Sequence, residues 1–375
     1  MTSLSVIIPA HNAEDTLPDL IKAIESQTVK PDEVIIIDDC SSDKTCEYLS
    51  GLSDPLYHII KNDRNIGAAA SRNLGIREAQ GKYIVFLDAD DIIEPDLFEK
   101  VSEAAISDPD IIVWSVSEEY INRDKKTVYV RKHECGCEFA GKLISPGDEY
   151  AALIRDLEKA TIFGYPWNKA YKKDLLTGKK IEFPPLDFAE DFFFNADAFS
   201  AAYGVICLTD TLYHYINRAD QGRLTERYVP DYFQIQKDRF KKFLSLQAEL
   251  MGLIGNDSYL DIDASGLPDE KAAGWREALE IASGRYFRSF SSMIGRELEH
   301  GTDRKTIIEK TKDEMKESEL YRLLRIHLGD FGMAGRYLYQ PLVKGNASAA
   351  VNHASLLIKI RRLCPGLFAR MKQNR

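Results

Sequence analysis

The chain has 375 residues, of which 44% are hydrophobic and 29% charged, and its formal net charge is −10. This length and composition are typical of a globular protein with more than one folded unit. The acidic balance argues against nonspecific binding to nucleic acid, and no run of about 20 apolar residues marks a membrane span. The first residues lack the basic and apolar stretches of a secretory signal, so we expect a cytoplasmic protein.

The N-terminal part of the sequence alternates apolar runs with amphipathic segments. Most runs are apolar at nearly every position, which is typical of strands covered on both faces in a parallel sheet. This order predicts an α/β fold whose ligands bind at the carboxyl ends of the strands. The predicted strands are 5–9, 33–38, 56–61, 82–88 and 111–116, with a hairpin-like stretch through 128–131, and the predicted helices lie near 14–27, 43–51 and 67–79.

The sequence between the sheet and the C-terminal third carries mixed signals. Residues 145–215 predict a helix near 147–157, a loop at 165–167 and a further helix that begins at Glu190. We interpret this stretch as the part of the domain that faces the acceptor.

Beyond Pro230 apolar stripes recur at helical spacing, which predicts a helical region. The predicted helices are 231–251, 272–299, 303–317 and 318–328. The predicted domains are an α/β domain at 1–225, with a nucleotide-binding half at 1–110 and an acceptor-facing half at 111–225, and a helical region with a basic tail at 226–375.

Acidic residues follow two of the predicted strands at the point where each strand ends. Asp38 and Asp39 end the second strand, and Asp88, Asp90 and Asp91 follow the fourth. Because the carboxyl ends of parallel strands meet at one edge, these carboxylates repel one another unless a cation or a hydroxyl-rich ligand lies between them. Hard cations such as Mg²⁺ or Mn²⁺ prefer such oxygen ligands. Singly, the two groups are explained as a helix cap and a turn, but together they favour a metal and nucleotide site.

Four motifs follow one another in the N-terminal part of the chain. They are Ser5-Val6-Ile7-Ile8-Pro9-Ala10-His11-Asn12 with Glu14, Ile36-Ile37-Asp38-Asp39-Cys40-Ser41-Ser42-Asp43, Asn65-Ile66-Gly67 with Ser71-Arg72-Asn73-Leu74-Gly75, and Phe86-Leu87-Asp88-Ala89-Asp90-Asp91. In this order and spacing they resemble the motifs of family 2 glycosyltransferases with the GT-A fold, and the resemblance continues more weakly at 167–169 and 189–194. It implies a Rossmann-like, mostly parallel sheet and transfer of a sugar from a nucleotide-sugar donor.

The resemblance implies a UDP-sugar donor and assigns residues to it. Asp39 would accept a hydrogen bond from the uracil imide, and Pro9, His11 and Glu14 would line the base and ribose pocket. The family more often has Tyr at the position of His11. Arg72 would be the basic group near the base or the diphosphate, and the alternative is an exposed arginine on a helix.

The resemblance also implies a divalent metal, Mn²⁺ or Mg²⁺. Asp88 would bind the ribose or a metal-bound water, Asp90 would bind the metal itself, and His214 would complete the metal shell. The alternative for His214 is a packed side chain among tyrosines. Lys169 and Arg218 are the nearest cations for the diphosphate, where positive charge would stabilise the departing nucleotide.

Glu190-Asp191 resembles the acidic pair that supplies the general base in this group. An inverting transfer requires a carboxylate within hydrogen-bond reach of the acceptor hydroxyl, and we assign that role to Asp191, with Glu190 orienting it or touching the acceptor. The same pair also suits a helix start, where negative charge interacts favourably with the helix dipole. Both interpretations are compatible.

Residues 331–375 contain eight Lys or Arg residues and no Asp or Glu. Because apolar residues such as Leu363 and Leu367 lie among them, this tail has the composition of segments that bind anionic membrane surfaces. The alternative is that the apolar residues pack on the preceding helices while the cations face solvent. The sequence leaves open peripheral contact with the inner face of the cell membrane.

These inferences predict an inverting transfer of a hexose or N-acetylhexosamine from a UDP-sugar to a hydroxyl of a glycan or lipid-linked glycan. Two alternatives remain. One is a noncatalytic nucleotide- or glycan-binding scaffold with a degenerate GT-A fold. The other is a sugar-1-phosphate nucleotidyltransferase, which would need a Gly-rich, Arg-bearing loop after the first strand, whereas Pro9-Ala10-His11-Asn12 stands there.

Overall fold

The computed structural model describes residues 2–122, 126–218, 228–254, 258–327 and 339–363. The chain divides into two compact units, residues 1–224 and 225–375. The strands of the first unit are β1 (Leu4–Ala10), β2 (Glu33–Asp38), β3 (Tyr57–Lys61), β4 (Tyr83–Phe86), β5 (Ile92–Ile93), β6 (Ile111–Ile121), β7 (Thr127–His133), β8 (Leu143–Ile144), β9 (Lys169–Lys172) and β10 (Val205–Arg218). Its helices are α1 (Leu17–Glu25), α2 (Thr45–Ser50), α3 (Ala68–Glu78), α4 (Leu97–Ala104), α5 (Asp148–Lys159), α6 (Lys173–Lys179) and α7 (Glu190–Ala201).

All ten strands form one mixed sheet in the order β3-β2-β1-β4-β9-β6-β10-β5, with β7 paired to β6 and β8 to β10. The first four strands of this order are parallel, as are β6 and β10, whereas β9 runs antiparallel to both of its neighbours. This Rossmann-like sheet, followed by a helical region, confirms the fold class predicted from the sequence. The mostly parallel order brings the ends of β1, β2 and β4 to one edge.

The packing of α3 on the sheet requires a glycine. The Cα of Gly75 lies so close to β1 that an added Cβ would come within 2.4 Å of Ile7 Cγ2. At the start of the same helix, Gly67 has a φ of 86°, a left-handed conformation that glycine adopts without steric cost. These two glycines let α3 begin sharply after its loop and lie directly against β1.

The strand β10 is the longest strand described, and the sequence pattern around His214 did not predict its length. It runs for 14 residues parallel to β6, with register shifts between Leu208 and Tyr213. Polar residues at the irregularity, among them Asp210, interrupt the apolar pattern by which a strand is recognised in the sequence. The second half of β10 also pairs with β5, directly after Asp91, so it extends the sheet beside the acidic residues.

The second unit is helical in the residues described. Its core includes Trp275, Tyr286, Phe290 and Tyr321, and the Glu314 carboxylate accepts hydrogen bonds from Tyr286 (2.6 Å) and Lys237 (2.8 Å). Within the described ranges, no helix of the chain has the length and apolar character to cross a membrane. The labelled helices are α8 (Tyr232–Leu250), α9 (Asp269–His300), α10 (Arg304–Glu317), α11 (Glu319–Leu324) and α12 (Ala347–Leu363).

Candidate active site

The loops after β1 and β2 are joined by hydrogen bonds. The Asp39 amide donates to Ala10 O (2.8 Å), and His11 Nδ1 donates to Asp39 O (2.8 Å). Asn12 and Cys40 have left-handed backbones, with φ of 51° and 58°. Such conformations carry a steric cost in non-glycine residues and are concentrated in functional loops. This corner of the sheet therefore holds His11 and Asp39 in one fixed arrangement.

Two further predicted donor-binding residues flank this corner. Pro9 is half-buried near the end of β1, in register with Ile37 of β2. Glu14 is exposed, and its carboxylate accepts a hydrogen bond from the Lys44 amide (2.9 Å) just before α2. The Glu14 amide in turn donates to the Asp43 carboxylate (3.1 Å). Glu14 thus joins the loop after β1 to the loop after β2.

The buried carboxylate of Asp39 organises the loop that leads into α3. Its oxygens accept hydrogen bonds from Asn62 Nδ2 (2.9 Å), the Ile66 amide (2.8 Å) and the Gly67 amide (2.7 Å). A carboxylate has about four acceptor positions, so one remains for a ligand. Asn62 also approaches Ser71 Oγ at 3.5 Å, which connects this corner to the residue before Arg72.

Arg72 is buried and joins two predicted site residues that are far apart in sequence. Its Nη2 lies 2.7 Å from Asp88 Oδ1, and its Nη1 lies 2.9 Å from Asp191 Oδ1. The alternative of an exposed helix arginine is therefore wrong. The Nε of Arg72 is buried and has no hydrogen-bond partner among the described residues. An unsatisfied buried donor of this kind costs about 1–3 kcal/mol.

The position of Arg72 is fixed by the loop before α7. The guanidinium lies 5.4 Å from the ring centroid of Phe183. Phe183 is in turn held by reciprocal hydrogen bonds with Asn73, from Asn73 Nδ2 to Phe183 O (2.8 Å) and from the Phe183 amide to Asn73 Oδ1 (2.8 Å). Phe183 also stacks on Phe194 of α7 at 3.8 Å. These contacts dock α3 against the helix that carries Asp191.

Asp191 lies in the first turn of α7 and has the electrostatics of a base. Burial raises the pKa of Asp191 to about 7, with further raising by Glu190 and Asp88 and an opposing effect of Arg72. The side chain is nonetheless 23% exposed, so a hydroxyl can reach it. Burial also raises the pKa of Glu190. The residue before the pair, Ala189, is left-handed with a φ of 63°, a strained turn that aims the first residues of the helix.

The acidic segment after β4 separates into three environments. Asp88 is paired with Arg72, whereas Asp91 is buried and accepts hydrogen bonds from Tyr213 Oη (2.6 Å) and the Ile216 amide (2.8 Å). Burial and the charges of Asp90 and Asp88 raise the pKa of Asp91 well above its usual range. Asp91 therefore anchors β10 to this edge of the sheet.

The third carboxylate of the segment belongs to Asp90, and its negative charge has no ion pair or neighbouring hydroxyl to stabilise it in the described residues. Burial and the charge of Asp88 raise the pKa of Asp90, against the opposing charge of Arg218. The guanidinium of Arg218 donates to the backbone carbonyl of Asp90 (2.5 Å), and a hydrogen bond from the residue's own backbone amide also lowers the pKa of the carboxylate. A buried carboxylate beside a second one is stabilised by a cation.

The donor set at this edge fits a divalent metal only with help from a substrate. Within the described ranges, no group of three or more His, Cys, Asp or Glu side chains is gathered as a metal site. Asp88 and Asp90 supply oxygen ligands of the type that Mg²⁺ and Mn²⁺ prefer. Diphosphate oxygens and water would have to complete the coordination, as is usual for Mg²⁺ at nucleotide sites.

The structure argues against His214 as a metal ligand. Its Nε2 lies 2.8 Å from Glu94 Oε1 and its Nδ1 lies 2.7 Å from Glu119 Oε1. Both ring nitrogens are thus engaged by carboxylates in this conformation, and neither is available to a metal. The residue instead cross-links β10 to β6 and to the loop that follows β5.

Lys169 is likewise not placed to meet a diphosphate. The ammonium is completely buried and donates to Ile162 O (2.9 Å), Tyr165 O (2.6 Å) and Asn168 Oδ1 (2.7 Å). Burial lowers the pKa of Lys169 to about 7. Its three hydrogens hold the loop before β9, so its role in this conformation is to position that loop.

Sequence reasoning missed Asn195 as a residue of the site. Its Nδ2 donates both to Asp191 O (2.9 Å) and to Gly164 O (3.1 Å), and its Oδ1 accepts from Tyr171 Oη (2.6 Å). Asn195 therefore fixes the start of α7 against the loop before β9. The available signal was an amide one helical turn after Asp191 in an otherwise apolar stretch, where an unpaired polar group would be costly.

The N-terminal part of the chain, which carries the loops after β1, β2 and β4, is similar to known proteins. The model of the family "Glycosyl transferase family 2" matches residues 5–177. The protein EpsH of Bacillus subtilis (strain 168) is 27% identical over 237 residues, which cover 62% of this chain and 65% of EpsH. The poly(ribitol-phosphate) beta-N-acetylglucosaminyltransferase TarS of Staphylococcus aureus (strain MW2) is 26% identical over 244 residues, which cover 63% of this chain and 40% of TarS. The chain thus spans less than two thirds of the length of these relatives.

The fold also has solved counterparts. The crystal structure of S. aureus TarS 1-349 in complex with UDP is similar with a TM-score of 0.59, covering 94% of this chain and 90% of that one. The complex of the same protein with UDP-GlcNAc has a TM-score of 0.55. The sequence identity is 17% in both cases, so this likeness concerns the fold.

Proposed function

We propose that this protein, whose residues 5–177 belong to glycosyl transferase family 2, is an inverting glycosyltransferase that uses a UDP-sugar donor. The sugar is a hexose or N-acetylhexosamine, and the acceptor is a hydroxyl of a glycan or of a lipid-linked glycan. The observation that carries the proposal is the position of Asp191. Its carboxylate has a pKa of about 7, is partly exposed, and is linked through Arg72 to Asp88 at the nucleotide edge of the sheet.

A single displacement accounts for the chemistry. Asp191 accepts the proton of the acceptor hydroxyl as its oxygen bonds to the anomeric carbon, and the bond from that carbon to the diphosphate breaks with its electrons going to UDP. A general base is most effective when its pKa lies near the working pH, because it is then both ionised and basic enough. Glu190 lies beside Asp191 and raises its pKa.

Arg72 has two tasks in this proposal. It moderates the pKa of Asp191, and it fixes the distance between the base and the end of β4, where the donor diphosphate is expected. Precise placement of a reacting group relative to its partner supplies a large share of enzymatic rate enhancement. The unpaired Nε of Arg72 gives the guanidinium a further donor for a ligand oxygen if the side chain shifts on binding.

In this proposal the UDP-sugar donor binds at the residues that follow β1 and β2. Asp39 keeps one acceptor position for the uracil imide, and His11, Pro9 and Glu14 border the corner in which the base and ribose lie. The complexes of TarS with UDP and UDP-GlcNAc are the reason for choosing uridine as the nucleoside.

Asp88 and Asp90 are the residues that would hold a divalent metal, Mn²⁺ or Mg²⁺. When bound there, the metal supplies positive charge that stabilises the departing diphosphate. Arg218, whose guanidinium lies at the Asp90 carbonyl, adds charge of the same sign at this edge. Lys169 and His214 have no part in the metal or diphosphate shell that we propose.

The acceptor that we propose, a glycan or a lipid-linked glycan, also bears on the location of the protein. A cytoplasmic protein with a basic tail at the inner face of the membrane would meet lipid-linked glycans there. Leu363 at the end of α12 is exposed, and residues 331–338 and 364–375 of that tail lie outside the described residues.

The experiment that tests the proposal is UDP release from UDP-hexoses and UDP-N-acetylhexosamines, with Mn²⁺ and with mixed glycan acceptors. Release that depends on donor and enzyme supports a transferase. No release from any donor, combined with intact nucleotide binding, would instead identify a noncatalytic scaffold.

A further inference from the structure

Three aromatic rings form a continuous stack that links the loop before β9 to β10. The rings of Tyr213 and Trp167 are 4.6 Å apart at an interplanar angle of 11°, and those of Trp167 and Tyr165 are 4.6 Å apart at 15°. The ring of Tyr215 lies alongside, 5.6 Å from Trp167. Exposure rises along the stack, from 0% at Tyr213 and 3% at Trp167 to 41% at Tyr165. The stack therefore runs from the core to the surface.

Both ends of the stack are held by polar contacts. The Tyr213 hydroxyl donates to the buried Asp91 carboxylate (2.6 Å), which ties the inner ring to the segment after β4. The backbone carbonyl of Tyr165 accepts a hydrogen bond from Lys169 Nζ (2.6 Å), whose other hydrogens hold Ile162 and Asn168. A buried cation with all three hydrogens in use makes the loop of Tyr165 rigid.

The loop that carries the outer ring, that of Tyr165, is also connected to the segment that carries Asp191. Asn195 donates to the backbone carbonyls of both Asp191 (2.9 Å) and Gly164 (3.1 Å), so a single amide group spans the first turn of α7 and the residue before Tyr165. In addition, Phe192 packs against Gly164. These contacts place the backbone of Gly164 next to that of Asp191, and Tyr165 follows Gly164 directly. We therefore expect a sugar whose hydroxyl reaches Asp191 to lie near the Tyr165 ring.

We propose that Tyr165 is the platform on which a pyranose ring of the acceptor stacks while it presents its hydroxyl to Asp191. This inference rests on the proposed function and specifies the acceptor class. Pyranoses have a face of C–H bonds that packs well on the negative face of an aromatic ring. Trp167 and Tyr213 act as positioning residues that support Tyr165 from below.

The charges around the stack favour a neutral ring over a polyol phosphate chain. A phosphate chain requires cations that are free to pair with it. In the described part of the site, Lys169 is used by three protein oxygens and Arg72 by Asp88 and Asp191, while Arg218 lies on the donor side at the Asp90 carbonyl. The nearby side chains Asp191 and Glu190 are acidic and would repel phosphate.

The first test measures binding without turnover. Saturation-transfer NMR is recorded with methyl glucoside, methyl N-acetylglucosaminide and ribitol 5-phosphate, on the UDP-loaded protein. We expect saturation of the C–H protons on one face of a pyranoside in the wild type and in Tyr165→Phe, and its loss in Tyr165→Ala. Tyr203→Ala, which removes an exposed tyrosine of the same unit, is the matched control and should keep the signal.

The second test is kinetic and separates this inference from the proposed function. Tyr165→Ala should raise the KM for a pyranoside acceptor about tenfold, the effect of losing roughly one aromatic stacking contact, with little change in kcat. Release of UDP to water in the absence of acceptor should be unchanged, which shows that the donor site is intact.

Three results would overturn the platform: an unchanged acceptor KM in Tyr165→Ala, an equal loss in Tyr165→Phe and Tyr165→Ala, or preferred binding of ribitol 5-phosphate. The second would mean that the hydroxyl rather than the ring binds the acceptor. Any of them can occur while UDP release continues, so the transferase assignment would survive, whereas absence of UDP release from every donor would remove both.

Discussion

The guanidinium of Arg72 lies 2.9 Å from the carboxylate of Asp191, although the two residues are 119 positions apart. The same guanidinium lies 2.7 Å from Asp88. A residue at the end of β4 and a residue at the start of α7 are therefore held at one fixed separation by a planar, bidentate group. This link makes the geometry of the candidate site a property of the fold, and it makes the chemistry of Asp191 depend on Arg72.

Replacement of the candidate base should separate chemistry from donor binding. In Asp191→Asn we expect the transfer rate to fall by about 10²- to 10⁴-fold, because the acceptor proton has no acceptor group, while UDP affinity stays near that of the wild type. The rate is measured by UDP release and the affinity by calorimetry. Asp197→Asn, on the exposed side of the same helix, is the control. Retained transfer in Asp191→Asn would remove the base assignment.

The pH dependence of transfer should report the pKa of Asp191. This group accepts a proton only as a carboxylate, so kcat/KM should fall as the pH drops below about 7, the pKa of Asp191. Arg72 lowers that pKa, so loss of its charge in Arg72→Met should move the acidic limb of the kcat/KM profile, the fall in kcat/KM at low pH, to higher pH. Arg72→Lys keeps a charge and should move the limb less. An acidic limb at the same pH in Arg72→Met would contradict the coupling.

Loss of the Asp90 carboxylate should weaken UDP binding only when the metal is present. Without metal, Asp90→Asn should be at least as stable as the wild type, because the repulsion by Asp88 and the cost of burial disappear. With Mn²⁺, its affinity for UDP should fall about 10- to 100-fold, as is usual when metal coordination is disturbed. Melting temperature and calorimetric affinity check the two effects. Asp210→Asn, which removes an exposed partner of Lys100, should change neither UDP affinity nor its dependence on Mn²⁺.

The close packing of α3 on β1 should be visible in stability. A methyl group at Gly75 would meet Ile7 Cγ2 at 2.4 Å in the core, so Gly75→Ala should destabilise the protein by about 1–3 kcal/mol. At Gly178 in α6 an added Cβ meets nothing within 4 Å, and Gly178→Ala should stabilise by about 0.5–1 kcal/mol through helix propensity. Urea unfolding measures both. Equal effects of the two substitutions would show that α3 does not pack as described.

The sheet could be predicted from the sequence because its parallel strands are buried on both faces. The runs at β1, β2 and β4 are short, rich in β-branched residues and apolar at nearly every position, which favours buried strands over helices. The length of β10 could not be predicted, since Asp210 and the register shift that follows it interrupt the pattern. Local periodicity does not reveal a strand that pairs with β6 before and after an irregular segment.

The candidate site could be predicted only in part. Strand ends identify carboxylates such as Asp88 and Asp90, because strand direction determines which residues share an edge. The hydrogen-bond partners of the Lys169 and His214 side chains could not be predicted from strand ends. Lys169 was expected at a diphosphate but bonds to three oxygens of its own loop, and His214 was expected at a metal but lies between Glu94 and Glu119. Such pairings depend on contacts between distant segments, which sequence spacing does not encode.

We propose that the edge formed by Asp39, Asp88 and Asp90 binds a uridine diphosphate donor with a divalent metal. The most direct test is a thermal-shift titration of the purified protein with UDP, GDP, CMP and TDP, each with and without Mn²⁺, because a ligand that binds only the folded state raises its apparent stability. We expect a rise in melting temperature with UDP that increases with Mn²⁺ and that the other nucleotides do not match. A rise with GDP or TDP in preference to UDP, or none with any nucleotide, would contradict it.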